Sequence, residues 1–139
     1  MIVLDTNVVS EPLRPSPAPQ VLAWLDAQDP RTLFLTTVSV AELLVGAAYL
    51  PEGRRRSDLE AGIGDAVTQL FGNRLLPFDL DAATAFAPMM ARARTQGVPV
   101  GFADGQIAAV AATRDFAVAT RDVEPFEAMG SRVINPWMT

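Results

Sequence analysis

Four acidic residues occupy positions where predicted strands are followed by predicted helices. Asp5 follows the apolar run at the N-terminus, and Glu42, Asp104 and Asp122 stand at comparable points later in the chain. In an open parallel α/β sheet, the carboxyl ends of the strands share one edge, and ligands bind there. We therefore expect these four carboxylates to lie together, where they would repel one another and have raised pKa values.

A divalent cation would relieve that repulsion, because Mg²⁺ prefers oxygen ligands and keeps several of its waters. In this hypothesis Asp5 and Asp104 are the primary metal ligands, and Glu42 and Asp122 bind the metal directly or through water. A hard metal at such an edge favours phosphodiester hydrolysis, since it activates a water and stabilises the leaving oxygen. Three polar residues are expected to orient the carboxylates or waters through hydrogen bonds: Thr6, Asn7 and Thr120.

These acids also have a purely structural interpretation. Helix capping would explain three of them, because they stand at predicted helix starts. Glu42 could form a capping box with Ser39, and Asp104 and Asp122 could each cap the helix that follows. Capping explains Asp5 least well, because this residue ends a buried strand, but a turn-forming role for Asp5 and Asn7 stays open. The two interpretations are compatible, since helix N-termini and strand carboxyl ends share one edge of a parallel sheet.

The rest of the composition restricts the chemistry further. The 139-residue chain contains no cysteine, histidine or lysine, so all eleven of its basic residues are arginine. Thiolate and imidazole catalysis, Schiff-base chemistry and a P-loop lysine are therefore excluded. The net charge of −5 argues against broad electrostatic attraction to nucleic acid.

Predicted strands and helices alternate along the whole chain, and half of the residues are hydrophobic. This order predicts one α/β domain spanning residues 1–139, an α/β/α sandwich with a central parallel sheet of four to five strands. The predicted strands are 1–4, 33–38, 75–78, 116–120 and 132–134. The predicted helices are 20–28, 39–50, 57–71 (with a capping box of Ser57 and Glu60), 81–96 (capped by Asp81), 104–113 and 125–129. No apolar run reaches membrane-spanning length, and we expect a cytoplasmic protein.

Four motifs follow one another along the chain: Asp5-Thr6-Asn7, Val40-Ala41-Glu42-Leu43, Ala103-Asp104-Gly105-Gln106-Ile107-Ala108-Ala109 and Ala119-Thr120-Arg121-Asp122. Together they resemble the PIN domain, and most closely the VapC and FitB type toxins of bacterial toxin–antitoxin pairs. The resemblance covers essentially the whole chain. It implies an endoribonuclease dependent on Mg²⁺ or Mn²⁺, homodimerisation, and neutralisation by a small DNA-binding antitoxin whose tail occupies the toxin's groove. Such toxins commonly repress their own operon together with the antitoxin.

The chain departs from the family pattern at two positions, and its arginines leave two questions open. Gly105 stands where a larger residue is common, and Val123 stands where an aromatic residue is frequent.

Arg121 is placed either to touch a phosphate of the RNA or to form an ion pair with a neighbouring acid. Three consecutive arginines either contact RNA or form the solvated start of a helix: Arg54, Arg55 and Arg56.

Two rival functions remain. A phosphoryl-group receiver or phosphatase on a similar scaffold would also carry an acid after the first strand, but its usual lysine and its Asp-x-Asp motif are absent here. A noncatalytic PIN-like binding module, acting only through the antitoxin complex, would bind the antitoxin and cleave no RNA.

Overall fold

The computed structural model describes residues 1–139 and contains one five-stranded sheet in which every pair of neighbouring strands is parallel. The order across the sheet is β3-β2-β1-β4-β5. The prediction of a central parallel sheet of four to five strands is therefore confirmed. The strands are β1 (Ile2–Leu4), β2 (Leu33–Thr36), β3 (Leu75–Leu76), β4 (Ala117–Ala119) and β5 (Val133–Ile134).

Seven α-helices connect and cover these strands, and none of them is both long enough and apolar enough to cross a membrane. They are α1 (Thr6–Ser10), α2 (Pro19–Asp26), α3 (Thr37–Ala48), α4 (Arg54–Asp65), α5 (Leu80–Thr95), α6 (Phe102–Thr113) and α7 (Val123–Ala128). Short 3-10 turns lie at Glu11–Leu13, Pro30–Thr32 and Gly72–Arg74, and a π-helical segment, Ala66–Phe71, extends α4.

The core consists of two apolar clusters, one on each face of the sheet. Val3 and Val118 belong to the first cluster, whereas the next residues along their strands, Leu4 and Ala119, belong to the second. This division follows from the period of two in a strand, which points successive side chains to opposite faces. Helices α5, α6 and α7 contribute to the first cluster and α1 to α4 to the second. The predicted three-layer sandwich is confirmed.

Strand β1 lies at the centre of the sheet, between β2 and β4. The chain runs outward from β1 to β3 and then returns to the other side of β1 to form β4. Such a reversal is a topological switch point, which leaves a crevice at the carboxyl ends of the two strands. The backbone N–H of Asp5 donates to the carbonyl of Ala119 across this pair, at 2.9 Å. Asp5 therefore stands at the middle of the sheet edge.

Several predicted helix starts are wrong, because local sequence does not determine which polar residue caps a helix. The structure contains helix α1, which was not predicted. Helix α4 begins at Arg54, and Glu60 accepts from Arg56 at 2.7 Å, so the capping box of Ser57 and Glu60 is absent. Helix α5 is capped by Asp79 instead of Asp81, and Pro88 lies inside it.

Candidate active site

The structure brings the four predicted acids to the carboxyl edge of the sheet. Asp5 follows β1, and Asp122 comes shortly after β4, while Glu42 and Asp104 lie on α3 and α6. Burial raises the pKa of Asp104, and the negative charges of Glu42 and Asp122 raise it further. Because such an effect requires proximity, these acids share one electrostatic neighbourhood. Two of the four acids, Asp5 and Asp104, have the raised pKa values that the sequence predicted.

Asp5 is the buried member of the cluster, with 2% of its surface exposed. Burial raises its pKa to about 6, although the hydroxyl of Thr120 opposes the shift by donating to Asp5 Oδ2 at 2.7 Å. The charges of Asp104 and Glu42 raise the pKa as well. Asp5 Oδ1 accepts from the backbone N–H of Thr6 at 2.7 Å, so Asp5 is the N-cap of α1. The expectation that capping explains Asp5 least well is wrong, but capping uses only one of its two oxygens.

Glu42 is hydrogen-bonded to the Thr6 side chain and does not form the predicted capping box with Ser39. The hydroxyl of Thr6 lies 2.7 Å from Glu42 Oε1 and 2.9 Å from Ser39 Oγ. Helix α3 begins two residues earlier than predicted, with Thr36 as its N-cap, and the Thr36 hydroxyl accepts from the Ser39 N–H. Ser39 is fully buried beside the site. Sequence reasoning missed its role because its spacing to Glu42 indicated a cap.

A second hydrogen-bond network holds the Asp122 side of the site. The Asn7 amide donates to Asp122 Oδ2 at 3.3 Å and to the Thr120 hydroxyl at 3.5 Å. The Thr120 hydroxyl also accepts from the backbone N–H of Asp122 at 3.0 Å. Thr120 therefore connects Asp5 with the start of α7 through one buried hydroxyl. The structure brings the three predicted supporting residues into contact with the acids.

Two acids at helix starts do not cap with their side chains. The N-cap of α6 is Gly101, so Asp104 lies inside the first turn and its carboxylate is half-buried near the other acids. Asp122 occupies the N-cap position of α7 but makes no side-chain capping bond. Neither carboxylate has a nitrogen partner within its own helix, so the oxygens of both can serve as ligands.

Of the two alternatives for Arg121, the ion pair with a neighbouring acid is absent. Four ion pairs form in the chain, and none includes Arg121. The Arg121 backbone N–H donates to Asn7 Oδ1 at 3.3 Å, and its guanidinium lies over the ring of Trp137. Sequence reasoning did not find Trp137, because no local pattern relates position 137 to position 121.

A groove of about 1010 Å³ leads away from the acids on the Glu42 side. Thr6 and Glu42 line it together with Arg14, Arg54 and Arg55. Of the three consecutive arginines, only Arg56 forms an ion pair, with Glu60 on the next turn of α4. The start of α4 therefore lines the groove with two arginines, both exposed to solvent.

The side chains of the site fit a hard divalent cation. The side chains hydrogen-bonded at Asp5 and Glu42 offer a metal carboxylate and hydroxyl oxygens, which Mg²⁺ prefers. No three acidic side chains approach closely enough to form a ligand cage by themselves. Mg²⁺ does not need such a cage, because it commonly binds one or two carboxylates and fills its remaining positions with water. Burial is the main cause of the raised pKa of Asp104, and a cation would offset the repulsion from Glu42 and Asp122 that raises it further.

Fold and site together define a class: a parallel α/β protein with an oxygen-rich acidic site at a topological switch point. Residues 2–131 match the PIN domain, so the chain belongs to the PIN-domain family. It is 50% identical to the VapC ribonuclease Y4jK of Sinorhizobium fredii over 99% of this chain and 98% of that protein. It is 43% identical to the toxin FitB of Neisseria gonorrhoeae over 99% of both chains.

A solved structure agrees with the fold over the same length. The structure of FitAB bound to an IR36 DNA fragment matches with a TM-score of 0.93 and 42% identity, over 99% of this chain and 96% of that one. The resemblance to VapC and FitB type toxins is thereby confirmed.

Proposed function

We propose that this protein is a Mg²⁺-dependent endoribonuclease toxin that hydrolyses phosphodiester bonds of RNA. The observation that carries the proposal is the acidic cluster around buried Asp5, where burial and then the charges of neighbouring acids raise the pKa values of Asp5 and Asp104. A site of this kind fits a hard cation and lacks any imidazole, amine or thiol that would serve another mechanism. Full-length similarity to a VapC ribonuclease and to the toxin FitB supports the same activity.

The roles of the residues follow from their contacts. Asp5 and Asp104 would hold the ion, with Glu42 and Asp122 bound directly or through water. When bound, Mg²⁺ activates a water and neutralises charge on the leaving oxygen. With a pKa of about 6, Asp5 is mostly ionised at neutral pH, as a metal ligand must be. Three side chains hold these acids in place: Thr6 on Glu42, Thr120 on Asp5, and Asn7 on Asp122.

An antitoxin and operator DNA are the proposed partners. Related FitAB binds a DNA fragment as a complex, and this chain has a net charge of −5, which disfavours direct DNA binding by the toxin alone. We therefore assign DNA contact to the antitoxin. The toxin would take part in regulating its operon only as a component of the complex.

A homodimer is also proposed, and α3 supplies a surface for it. Four apolar residues of this helix and its C-cap, Tyr49, lie at helical spacing on one exposed face, and Tyr49 is 84% exposed. A contiguous apolar stripe of this kind commonly marks a protein interface. The five residues are Ala41, Leu44, Val45, Ala48 and Tyr49.

The test of the catalytic proposal is RNA cleavage by the purified chain with Mg²⁺, compared with Asp5→Asn and Asp104→Asn. Each variant should lose at least about 100-fold in rate, the upper end of what loss of a residue supporting a metal site costs. Asp81→Asn, an exposed acid in the first turn of α5, is the matched control and should cleave normally. Cleavage that persists in both site variants would refute the proposal. Antitoxin binding without any metal-dependent cleavage would favour a noncatalytic binding module.

A further inference from the structure

Arg121 has a backbone fixed by a hydrogen bond and a guanidinium that forms no ion pair with an acidic side chain. Its N–H donates to Asn7 Oδ1 at 3.3 Å, and the preceding residue, Thr120, is fully buried. Its side chain is exposed and takes part in none of the ion pairs, although Asp122 is the next residue in the chain. The guanidinium is therefore not neutralised by the acids of the site.

The guanidinium of Arg121 contacts the ring of Trp137 instead of an acidic side chain. The central carbon of the Arg121 guanidinium lies 5.1 Å from the centroid of the Trp137 ring. That distance is within the range of a cation–π interaction, which uses the face of the guanidinium. Phosphate is bound by the edges, through N–H donors in a planar fork. Stacking on Trp137 therefore leaves the phosphate-binding edges of Arg121 free. It also restricts the side-chain rotamers of Arg121 before binding, so less conformational entropy is lost when a phosphate binds.

The ring of Trp137 is itself held in place by the core and by the C-terminal turn. Trp137 is partly buried against the apolar cluster that contains Leu4 and Ala119. The backbone N–H of Trp137 donates to Asn135 Oδ1 at 3.0 Å, and the backbone N–H of Met138 donates to the carbonyl of Asn135 at 3.0 Å. This turn directly follows β5, which pairs with β4, the strand that leads to Arg121. The stacking partner is thus tied to the same part of the sheet as the arginine.

We propose that Trp137 is a positioning residue that holds Arg121 as a clamp for an RNA phosphate beside Asp122. This inference rests on the proposed function, since it takes the bound anion to be a phosphate of the RNA substrate. It makes the C-terminal turn part of the substrate site, although residue 137 lies 15 positions beyond the last acid of the cluster. A direct stack of an RNA base on Trp137 is the competing role.

A double-mutant cycle between positions 121 and 137 separates these roles. The probe is a fluorescein-labelled single-stranded RNA, and its Kd is measured by anisotropy at several salt concentrations with Ca²⁺ in place of Mg²⁺. Arg121→Gln should weaken binding about tenfold, as expected for a charge-assisted hydrogen bond, and reduce the salt slope by about 0.7. Trp137→Leu should weaken binding about threefold, and Trp137→Phe should restore most of it because phenylalanine keeps an aromatic face.

The informative comparison is Trp137→Leu in the Arg121→Gln background, where no further loss is expected because Trp137 acts through Arg121. A further loss there would overturn the inference in favour of direct stacking or a general effect on the fold. Trp24→Leu is the matched control, since Trp24 packs against the same apolar cluster but the cation–π contact of Arg121 is with Trp137, and this variant should bind RNA normally. In Mg²⁺, Trp137→Leu should raise KM about threefold and leave kcat nearly unchanged.

The outcomes for this inference and for the proposed function are distinguishable. Asp104-dependent cleavage by the wild-type chain, with equal RNA affinity in all members of the cycle, would overturn this inference alone. A wild-type chain that neither binds nor cleaves RNA would overturn both.

Discussion

The hydroxyl of Thr6 donates to Glu42 across 36 positions of sequence, at an Oγ1–Oε1 distance of 2.7 Å. Thr6 opens α1 immediately after Asp5, and Glu42 lies on α3, so one hydrogen bond ties two motifs of the site together. The same hydroxyl lies 2.9 Å from buried Ser39 Oγ. Glu42 is therefore held by side chains at its carboxylate, while its position on α3 is exposed to solvent.

Replacing Thr6 tests whether this bond matters for the metal site. Thr6→Val keeps the shape of the side chain and removes the hydroxyl, so Glu42 would lose its orientation. We expect cleavage to fall about 10-fold to 100-fold, in line with other residues that orient metal ligands. The Mn²⁺ concentration for half-maximal activity and the Kd for Mn²⁺ from calorimetry should both rise. Thr6→Ser keeps the hydroxyl and should stay close to wild type, whereas equal loss in both variants would contradict this role.

The raised pKa of Asp5 predicts a pH-dependent stability. Its pKa is 3.8 in the unfolded chain and about 6 in the folded one, so the native state keeps a proton that the unfolded state has lost between these values. The contribution of Asp5 to the free energy of unfolding should therefore fall by about 3 kcal/mol as pH rises through this window. Asp5→Asn lacks this loss, and in EDTA its stability relative to wild type should increase from about pH 4 to about pH 7.

Denaturant unfolding at several pH values measures the difference between wild type and Asp5→Asn. Asp29 offers a matched control, because Arg31 lowers its pKa from 3.8 to about 2, so Asp29 is largely ionised in both states above about pH 5. The difference between wild type and Asp29→Asn should therefore be flat from about pH 5 to about pH 7, where the difference for Asp5→Asn still changes. A flat difference for Asp5→Asn as well would show that the pKa of Asp5 is not raised in the folded chain.

The placement of the acids was predictable because it depends on topology, not on detail. Parallel strands joined by helices put their carboxyl ends at one edge, so an acid after β1 and another after β4 must be neighbours once those strands pair. Alternation of apolar and polar stretches was enough to establish this order. The site was therefore recognisable from Asp5, Glu42, Asp104 and Asp122 alone.

The capping residues were not predictable, because several candidates stand close together. Thr36, Thr37 and Ser39 all have hydroxyls, and the register of α3 decides which one meets a free N–H. Helix α1 was missed for a different reason. Val8 and Val9 are β-branched and disfavour a helix by propensity, but both are buried in the core, and packing overrides propensity there.

The apolar face of α3 gives a prediction about assembly. Val45 is 46% exposed in the middle of the stripe, so Val45→Asp would place a charge at the centre of the proposed dimer interface. Its mass by light scattering should drop from that of a dimer to that of a monomer. Leu70→Asp, at a residue 54% exposed outside the stripe, should remain a dimer. Unchanged mass for Val45→Asp, with wild-type circular dichroism, would place the interface elsewhere.

Gly105 departs from the family pattern, and the packing of α5 against α6 explains why. A Cβ at this buried position would lie 2.5 Å from Met90 Sδ and 2.9 Å from Phe86 Cε1. Gly105→Ala should therefore lower the free energy of unfolding by about 1–3 kcal/mol. Gly64→Ala is the matched control: no atom lies within 4 Å of its Cβ in α4, so it should stabilise the helix by about 0.5–1 kcal/mol. Adding Met90→Ala should open the space, so that Gly105→Ala no longer destabilises in that background; a loss that persists there would locate the constraint at Phe86.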